Sequence, residues 1–346
     1  MDHVRAVLVG CGGISRAWLR AVADMEDVEI VGLVDLIEEN ARARAAEFAL
    51  QEVAIGTDLG AMLDDLVPDA VFNCTVPEAH LPVTLEALAH GCHVLGEKPL
   101  ADSMDRARQM VAAAQKAGRI LAIIQNRRYD PRIRRFREVI ASGIVGPLTT
   151  LHSDFFIGAH FGGFRDHMEH VLLLDMAIHT FDQARFITGA DPLSVYCHEW
   201  NPPGSWYDHD ASAVAVFEMT GGLVYTYRGS WCAEGLNTTW ECDWRAIGQQ
   251  GSLLWDGADA LRGERVVASG GFRSELAPLW PSPAELPPLK PEYKSGGHAG
   301  VIREFIDCVR HGGAPETAAE DNIKSLAMVF GAIESARRGC RVEIRW

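Results

Sequence analysis

Residues Val7-Leu8-Val9-Gly10-Cys11-Gly12-Gly13-Ile14 carry an apolar run straight into a glycine turn, and a second run, Glu29-Ile30-Val31-Gly32-Leu33-Val34, ends on Asp35. Few folds accommodate this order of strand, tight turn, helix, strand and acid. Past the turn, Ile14, Ala17/Trp18, Ala21/Val22 and Met25 recur at helical spacing. Glycines let the backbone turn tightly and approach a ligand closely, and the helix that follows offers its N-terminal N–H groups to a negative charge. The pattern suits a pyrophosphate against Gly10, Gly12, Gly13 and Ile14. Asp35 suits the paired hydroxyls of an adenosine ribose and repels a 2'-phosphate, so the cofactor expected is NAD and not NADP. Ser15 stands where a third glycine is usual, and Arg42 and Arg44 read as a solvated helix face.

The alternation continues to about residue 125. Helices are expected over 41–50, 59–66 and 80–90, and over a stretch capped by Asp102 or Ser103 that runs to Gly118. Apolar strands are expected over 53–55, 70–74, 93–96 and 120–125. Strands separated by helices of this length imply parallel pairing with right-handed crossovers. The fold class is therefore α/β, with a doubly wound Rossmann domain over 1–126. From residue 127 the character changes: a basic helix over 126–142 precedes long strand-like runs (148–156, 194–199, 211–218, 223–231, 240–247) joined by glycine turns. These predict a C-terminal α+β domain, 127–346, with a large open, mainly antiparallel sheet. One helix over 172–188 interrupts it, helices over 299–310 and 320–338 close the chain, and the Pro-rich stretch 273–291 reads as a surface loop.

The net charge of −15 argues against nucleic acid or an anionic membrane as partner, since both require a basic surface. No apolar run reaches the length of a bilayer span, and the first strand begins almost at Met1, leaving no room for a leader. The eight cysteines show no C-x-x-C spacing. Reduced thiols in the cytoplasm are the simplest expectation.

Two constellations carry chemistry. Glu97-Lys98-Pro99 follows a strand of the first domain, and the C-terminal ends of parallel strands line the ligand crevice. A lysine there can meet a substrate, although Glu97 could equally be its surface ion-pair partner. Asp175 and His179 are spaced to share one face of a helix, with Asp182 three residues on. An imidazole titrates near neutrality, and a neighbouring acid can orient it for proton transfer. Taken alone, the same spacing also describes an ordinary helical ion pair.

In order, Gly10-x-Gly12-Gly13 with Asp35, Thr75-Val-Pro77-Glu-Ala-His80, Glu97-Lys98-Pro99 and Asp175-x-x-x-His179 resemble the glucose–fructose oxidoreductase / inositol dehydrogenase / rhizopine-catabolism (Gfo/Idh/MocA) family. The resemblance spans essentially the whole chain. It implies NAD(P)-linked oxidation or reduction of sugars, polyols or their derivatives, with Lys98 and His179 as the proton-handling pair and Asp175 as a partner of the substrate or of His179. Thr75, Pro77, His80 and Glu97 would lie along the cofactor crevice. It also implies a homodimer or homotetramer built through the open sheet. Many members carry glycines ahead of the Asp-x-x-x-His motif where this chain has Glu169-His170-Val171-Leu172-Leu173-Leu174, so the substrate pocket is expected to differ.

His160, Arg165 and His170 are further candidates for substrate hydroxyls, and Arg127 lies where the chain leaves the first domain. His160, His167 and His170 with Asp166 and Glu169 match no metal-ligand spacing, so no metal is expected. Seven of nine Trp residues fall between Trp200 and Trp280 and read mainly as core or subunit interface. Within the resemblance, the alternatives to a dehydrogenase are an NAD-dependent glycosidase that oxidises a sugar transiently, and a non-catalytic regulator that senses NAD or sugar.

Overall fold

The computed structural model describes residues 3–290 and 296–346. Pro291, the end of the expected Pro-rich loop, lies outside the described residues, as does Met1. The chain divides into two compact units, one of Met1–Asn126 with Ser295–Leu326 and Trp346, the other of Arg127–Lys294 with Ala327–Arg345. The sequence reading kept everything past residue 127 in one domain. The return of 295–326 to the first unit is a long-range packing choice with no local signal.

In the first unit β1 (Val4–Val9), β2 (Val28–Val34), β3 (Ala54–Gly56), β4 (Ala70–Asn73), β5 (His93–Gly96) and β6 (Leu121–Ile123) form one parallel sheet, in the order β3-β2-β1-β4-β5-β6. The connecting helices are α1 (Ser15–Val22), α2 (Glu38–Glu47), α3 (Leu59–Leu66), α4 (Pro77–Ala89) and α5 (Met104–Ala117). β4 is buried along its whole length, as a strand covered on both faces must be. The Ser103 side chain caps α5, and Gly118 ends it in the left-handed conformation. The order reverses at β1, which pairs with β2 on one side and β4 on the other, and ligands of such sheets bind at this switch point.

A single 3-10 turn, Asn126–Tyr129, leads from the first unit into α6 (Pro131–Ala141) of the second, where the sequence suggests one helix over 126–142. Asp130 breaks the run: its side chain caps Arg132 N–H, and Pro131 takes the first helical position, where its missing donor costs nothing. Arg128, in the turn ahead of this helix, is 5% exposed. A sheet follows of β7 (Leu148–Phe156), β8 (Pro192–Trp200), β9 (Ser212–Met219), β10 (Val224–Ser230), β11 (Asp243–Gly248), β12 (Gly251–Trp255), β13 (Leu261–Ala268), β14 (Glu275–Pro278) and β15 (Val342–Glu343). Its order is β14-β13-β12-β11-β7-β10-β9-β8-β15, antiparallel throughout except for the β7–β10 pair. β14 puts a short strand inside the expected loop.

Residues 172–188 form two helical pieces, a π-helical stretch (Leu172–Ala177) and α7 (Ile178–Thr188). Phe181 of α7 packs against Phe217, Tyr225 and Tyr227, with ring centroids 4.9, 6.3 and 5.2 Å away. This covers one face of the sheet. The other face carries Tyr196, Val216, Thr226, His152, Arg245, Leu254 and Arg262 in register from β8 to β13. A concavity of about 690 Å³ sits there, lined by Arg228, Arg245, Arg262, Asp154 and Asp256 among others.

The last helices are α8 (Gly297–His311), which belongs to the first unit, and α9 (Ala319–Arg338). In the first unit Phe305 of α8 meets Phe72 of β4 at 6.3 Å, and Phe72 meets Trp18 at 5.4 Å, all three fully buried.

Candidate functional site

Gly10 lies at φ +92°, and a Cβ there would stand 2.7 Å from the Cys74 carbonyl carbon and oxygen and 2.8 Å from Thr75 N. The turn after β1 thus passes against the end of β4 so closely that only glycine fits. At Gly12 and Gly13 a Cβ would meet nothing within 4 Å, which leaves open space in front of the turn at the N-terminus of α1. Asp35 reaches back to this turn: Oδ2 accepts Cys11 N–H at 2.8 Å, and Oδ1 accepts Ile37 N–H at 2.9 Å and the Asn40 amide at 3.2 Å. A carboxylate with two oxygens keeps lone pairs for further donors.

Arg44 is 5% exposed and corrects its reading as a solvated residue. It donates to Ser15 Oγ at 2.9 Å and to the carbonyls of Cys11 and Gly12 at 3.0 and 3.1 Å, and it pairs with Glu47. Ser15 in turn donates to Gly12 O at 2.6 Å. The serine in the third glycine's place is therefore part of a brace behind the turn. With its donors spent on that brace, Arg44 is not placed to hold a 2'-phosphate. Burial is the main cause that pushes the Cys11 thiol up to about 12, so it is no nucleophile. The open floor, the helix N-terminus and the acid at the end of β2 together fit NAD.

The loop after β5 is held from beneath. Glu97, 6% exposed, accepts the Trp18 indole N–H at 2.7 Å and the Lys98 backbone N–H at 3.1 Å. His298 lies 3.8 Å from its carboxylate. Glu97 is thus a brace under Lys98. The Lys98–Pro99 peptide is cis. His80, expected along the crevice, is 1% exposed, with its ring nitrogens 2.8 Å from Pro99 O and 3.1 Å from Thr75 O. It ties the β4 and β5 loops together and is too enclosed to line a crevice. Asn73 accepts from Thr75 Oγ1 at 2.6 Å, while Thr75 and Pro77 stay partly accessible.

In the second unit, Asp175 lies in the π-helical stretch and His179 in α7, so the steady helical turn that put them on one face is interrupted between them. Asp175 takes Arg165 in a two-bond pair at 2.8 and 3.3 Å. The Arg165 guanidinium lies 4.9 Å from the Phe161 ring centre and 4.7 Å from that of Phe164. Asp182 is spent on Arg128, at 2.6 and 2.5 Å, in a buried pair. Arg127 donates to the carbonyl of Trp240 and to Glu241 at 3.3 Å. Burial raises the Glu241 carboxyl against the lowering effect of that guanidinium. His160, His167 and His170 each take a different partner. His160 stacks on Trp206 at 3.7 Å and meets Glu234, His167 meets Asp208, and His170 meets Glu199.

The bracing roles of Arg44, Trp18 and Asn73 are not among the expectations read from the sequence. Asn73, a polar residue ending an apolar strand, was the one with a readable signal.

A switch-point glycine turn with an acid at the end of β2 defines a dinucleotide-binding unit. Residues 4–125 match the Gfo/Idh/MocA model described as an oxidoreductase family, NAD-binding Rossmann fold, and residues 133–254 match its C-terminal domain model. The chain belongs to this family of NAD-binding oxidoreductases. It is 28% identical to D-apiose dehydrogenase of Paraburkholderia graminis, over 100% of this chain and 91% of that protein. It is 25% identical to 1,5-anhydro-D-fructose reductase of Ensifer adhaerens, over 97% of each. An Agrobacterium radiobacter oxidoreductase solved with NAD+, L-tartaric acid and magnesium shares the fold, with a TM-score of 0.84 and 23% identity over 99% of this chain and 98% of that one.

Proposed function

We propose that the protein oxidises or reduces a secondary alcohol or ketone of a sugar, polyol or sugar derivative, with NAD as its redox partner. The observation that carries this is the Glu97-Lys98-Pro99 loop, fixed from below by Trp18 and from behind by His80, which presents a lysine at the end of a central parallel strand. The names of the two relatives support a carbohydrate. Gly10, Gly12, Gly13, Ile14, Asp35, Thr75 and Pro77 would hold NAD, which when bound supplies the hydride acceptor or donor. In the oxidative direction His179 accepts the hydroxyl proton on a ring nitrogen, and Lys98 Nζ hydrogen-bonds the reacting oxygen. Asp175, oriented by Arg165, accepts a neighbouring substrate hydroxyl. Arg127 and His170, whose polar atoms are engaged by Glu241 and Glu199, act as positioning residues. His160 is left at the rim.

Lys98→Met and His179→Ala are each expected to lower NADH formation at least about 100-fold, the usual contribution of a positioned proton-transfer group. His179→Ala should still bind NAD with its affinity within about threefold, read by calorimetry. Near-normal turnover in either variant overturns the assignment.

The open sheet face is proposed to join copies of the chain into a homodimer or homotetramer. Among the described residues no helix is long and apolar enough to cross a membrane, and all eight cysteines are free thiols, which suits the reducing cytoplasm.

A further inference from the structure

We infer that the substrate is a glycoside, with its reacting ring at Asp175 and its aglycone or second ring stacked on Phe161 and Trp240. The inference rests on the sugar-oxidoreductase reading above and adds the class of sugar.

Beside Asp175 the second unit carries more aromatic surface than a small polyol needs. Phe161 is 47% exposed, Phe164 68% and Trp240 46%. They are not stray apolar residues. Phe161 and Trp240 lie 6.3 Å apart, each against the buried Trp231, at 5.4 and 5.7 Å. Phe155, fully buried, backs both Trp231 and Trp240. The shelf is thus the accessible edge of a fixed aromatic cluster.

Its frame is held by backbone bonds. Ala159 N–H donates to Trp231 O at 3.1 Å, and Gly158 pairs with Cys232. The Ala159 carbonyl accepts from Trp206 Nε1 at 2.9 Å and Tyr207 Oη at 2.7 Å. A Cβ on Gly158 would stand 3.0 Å from Ala233 O, so the two segments pass each other closely here. Arg127, bonded to the Trp240 carbonyl, pins the other edge. A rigid apolar surface of this kind binds without ordering cost.

Polar groups alternate with the rings as they do on a sugar. Arg165 lies between Phe161 and Phe164 and holds Asp175, so an aromatic face and a hydroxyl acceptor share one guanidinium. A pyranose shows C–H faces to aromatic rings and hydroxyls at its rim, and needs both kinds of partner. A ring that presents its carbinol to Asp175 leaves the shelf to whatever its anomeric carbon carries. A free sugar carries only a hydroxyl there and leaves Phe161 and Trp240 wet.

The test compares free sugars with their methyl and phenyl β-glycosides, reading NADH formation by the NAD-loaded full chain. The phenyl glycoside of the best sugar should exceed the free sugar in kcat/KM by about tenfold or more, as one ring-sized contact implies. Trp240→Ala and Phe161→Ala should bring that ratio close to one, while Trp240→Phe keeps it. A ratio at or below one in the wild type, or unchanged in both alanine variants, overturns the inference. Binding is read separately by titrating the NAD-loaded protein with phenyl β-D-glucopyranoside and following tryptophan emission. A change present in the wild type and lost in Trp240→Phe supports the shelf even if no NADH forms, and that silence then counts against the dehydrogenase reading alone. No emission change together with no glycoside preference overturns the shelf.

Discussion

Glycines of one motif do different physical work, and the difference is measurable. A methyl group at Gly10 meets the Cys74 carbonyl at 2.7 Å in a left-handed backbone, whereas one at Gly12 enters open space. Gly10→Ala should therefore cost stability, about 1–3 kcal/mol from the backbone conformation alone, with the clash added to it. Gly12→Ala should unfold within about 0.5 kcal/mol of the wild type, as a substitution touching nothing does. It should instead weaken NAD, because its methyl stands where the pyrophosphate approaches. Urea unfolding paired with NAD titration separates the two; equal stability losses would refute the distinction. The motif was legible in the sequence because glycine, acid and spacing are local. The brace behind it was not, since Arg44 looks like any helical arginine until tertiary contact buries its guanidinium against Ser15, Cys11 and Gly12.

The helices show where periodicity carries and where it stops. α3 and β5 occupy the residues their apolar spacing predicts, and β7 does too. The basic helix failed at Asp130-Pro131, a cap-and-proline start signal overridden by a repeating run of arginines. The π-helical stretch could not be read at all, because its sequence, Leu172-Leu173-Leu174-Asp175-Met176-Ala177, suits an α-helix equally. The structure places His170 just before it, at φ +53°, bonded to Glu199 of β8. The hydrogen bond that the His170 ring donates to the Glu199 carboxylate is the first cause that raises the His170 pKa, with burial opposing it and the charges of Glu199, Glu169 and Asp210 adding to it. A raised folded-state value stabilises the fold fully below the ordinary histidine range, near pH 6.5, and the gain fades as pH climbs through the raised value. Glu199→Gln should therefore be less stable than the wild type below about pH 6.5, the gap narrowing on the alkaline side. Chemical denaturation at a series of pH values checks this; a gap that widens with pH contradicts the linkage.

At the scale of the whole molecule, alternating strands and helices predict the parallel sheet, and successive strand-like runs joined by glycine turns predict the mainly antiparallel one. The open face of the nine-stranded sheet is the feature of this scale that bears on assembly. Tyr196 and Val216 stand on it at 48% and 39% exposure. If copies of the chain join there, light scattering should give two or four times the chain mass at micromolar concentration. Val216→Glu should shift the population toward one, because an unpaired carboxylate in a closed interface is costly to desolvate. A wild type of single-chain mass rules out the sheet-mediated assembly.

The first unit is stitched from two distant stretches of chain, and this bears on how it is made. During synthesis the ribosome releases β1 to β6 early, yet Phe305 and His298, which close on Phe72 and Trp18, emerge only after β7 to β14 of the second sheet have been translated. The nucleotide unit must therefore wait, half-finished, while Arg127–Lys294 of the second unit is made. A nascent chain stalled before α8 should carry an exposed aromatic seam and remain a client for chaperones, even though every strand of its parallel sheet is already outside the tunnel.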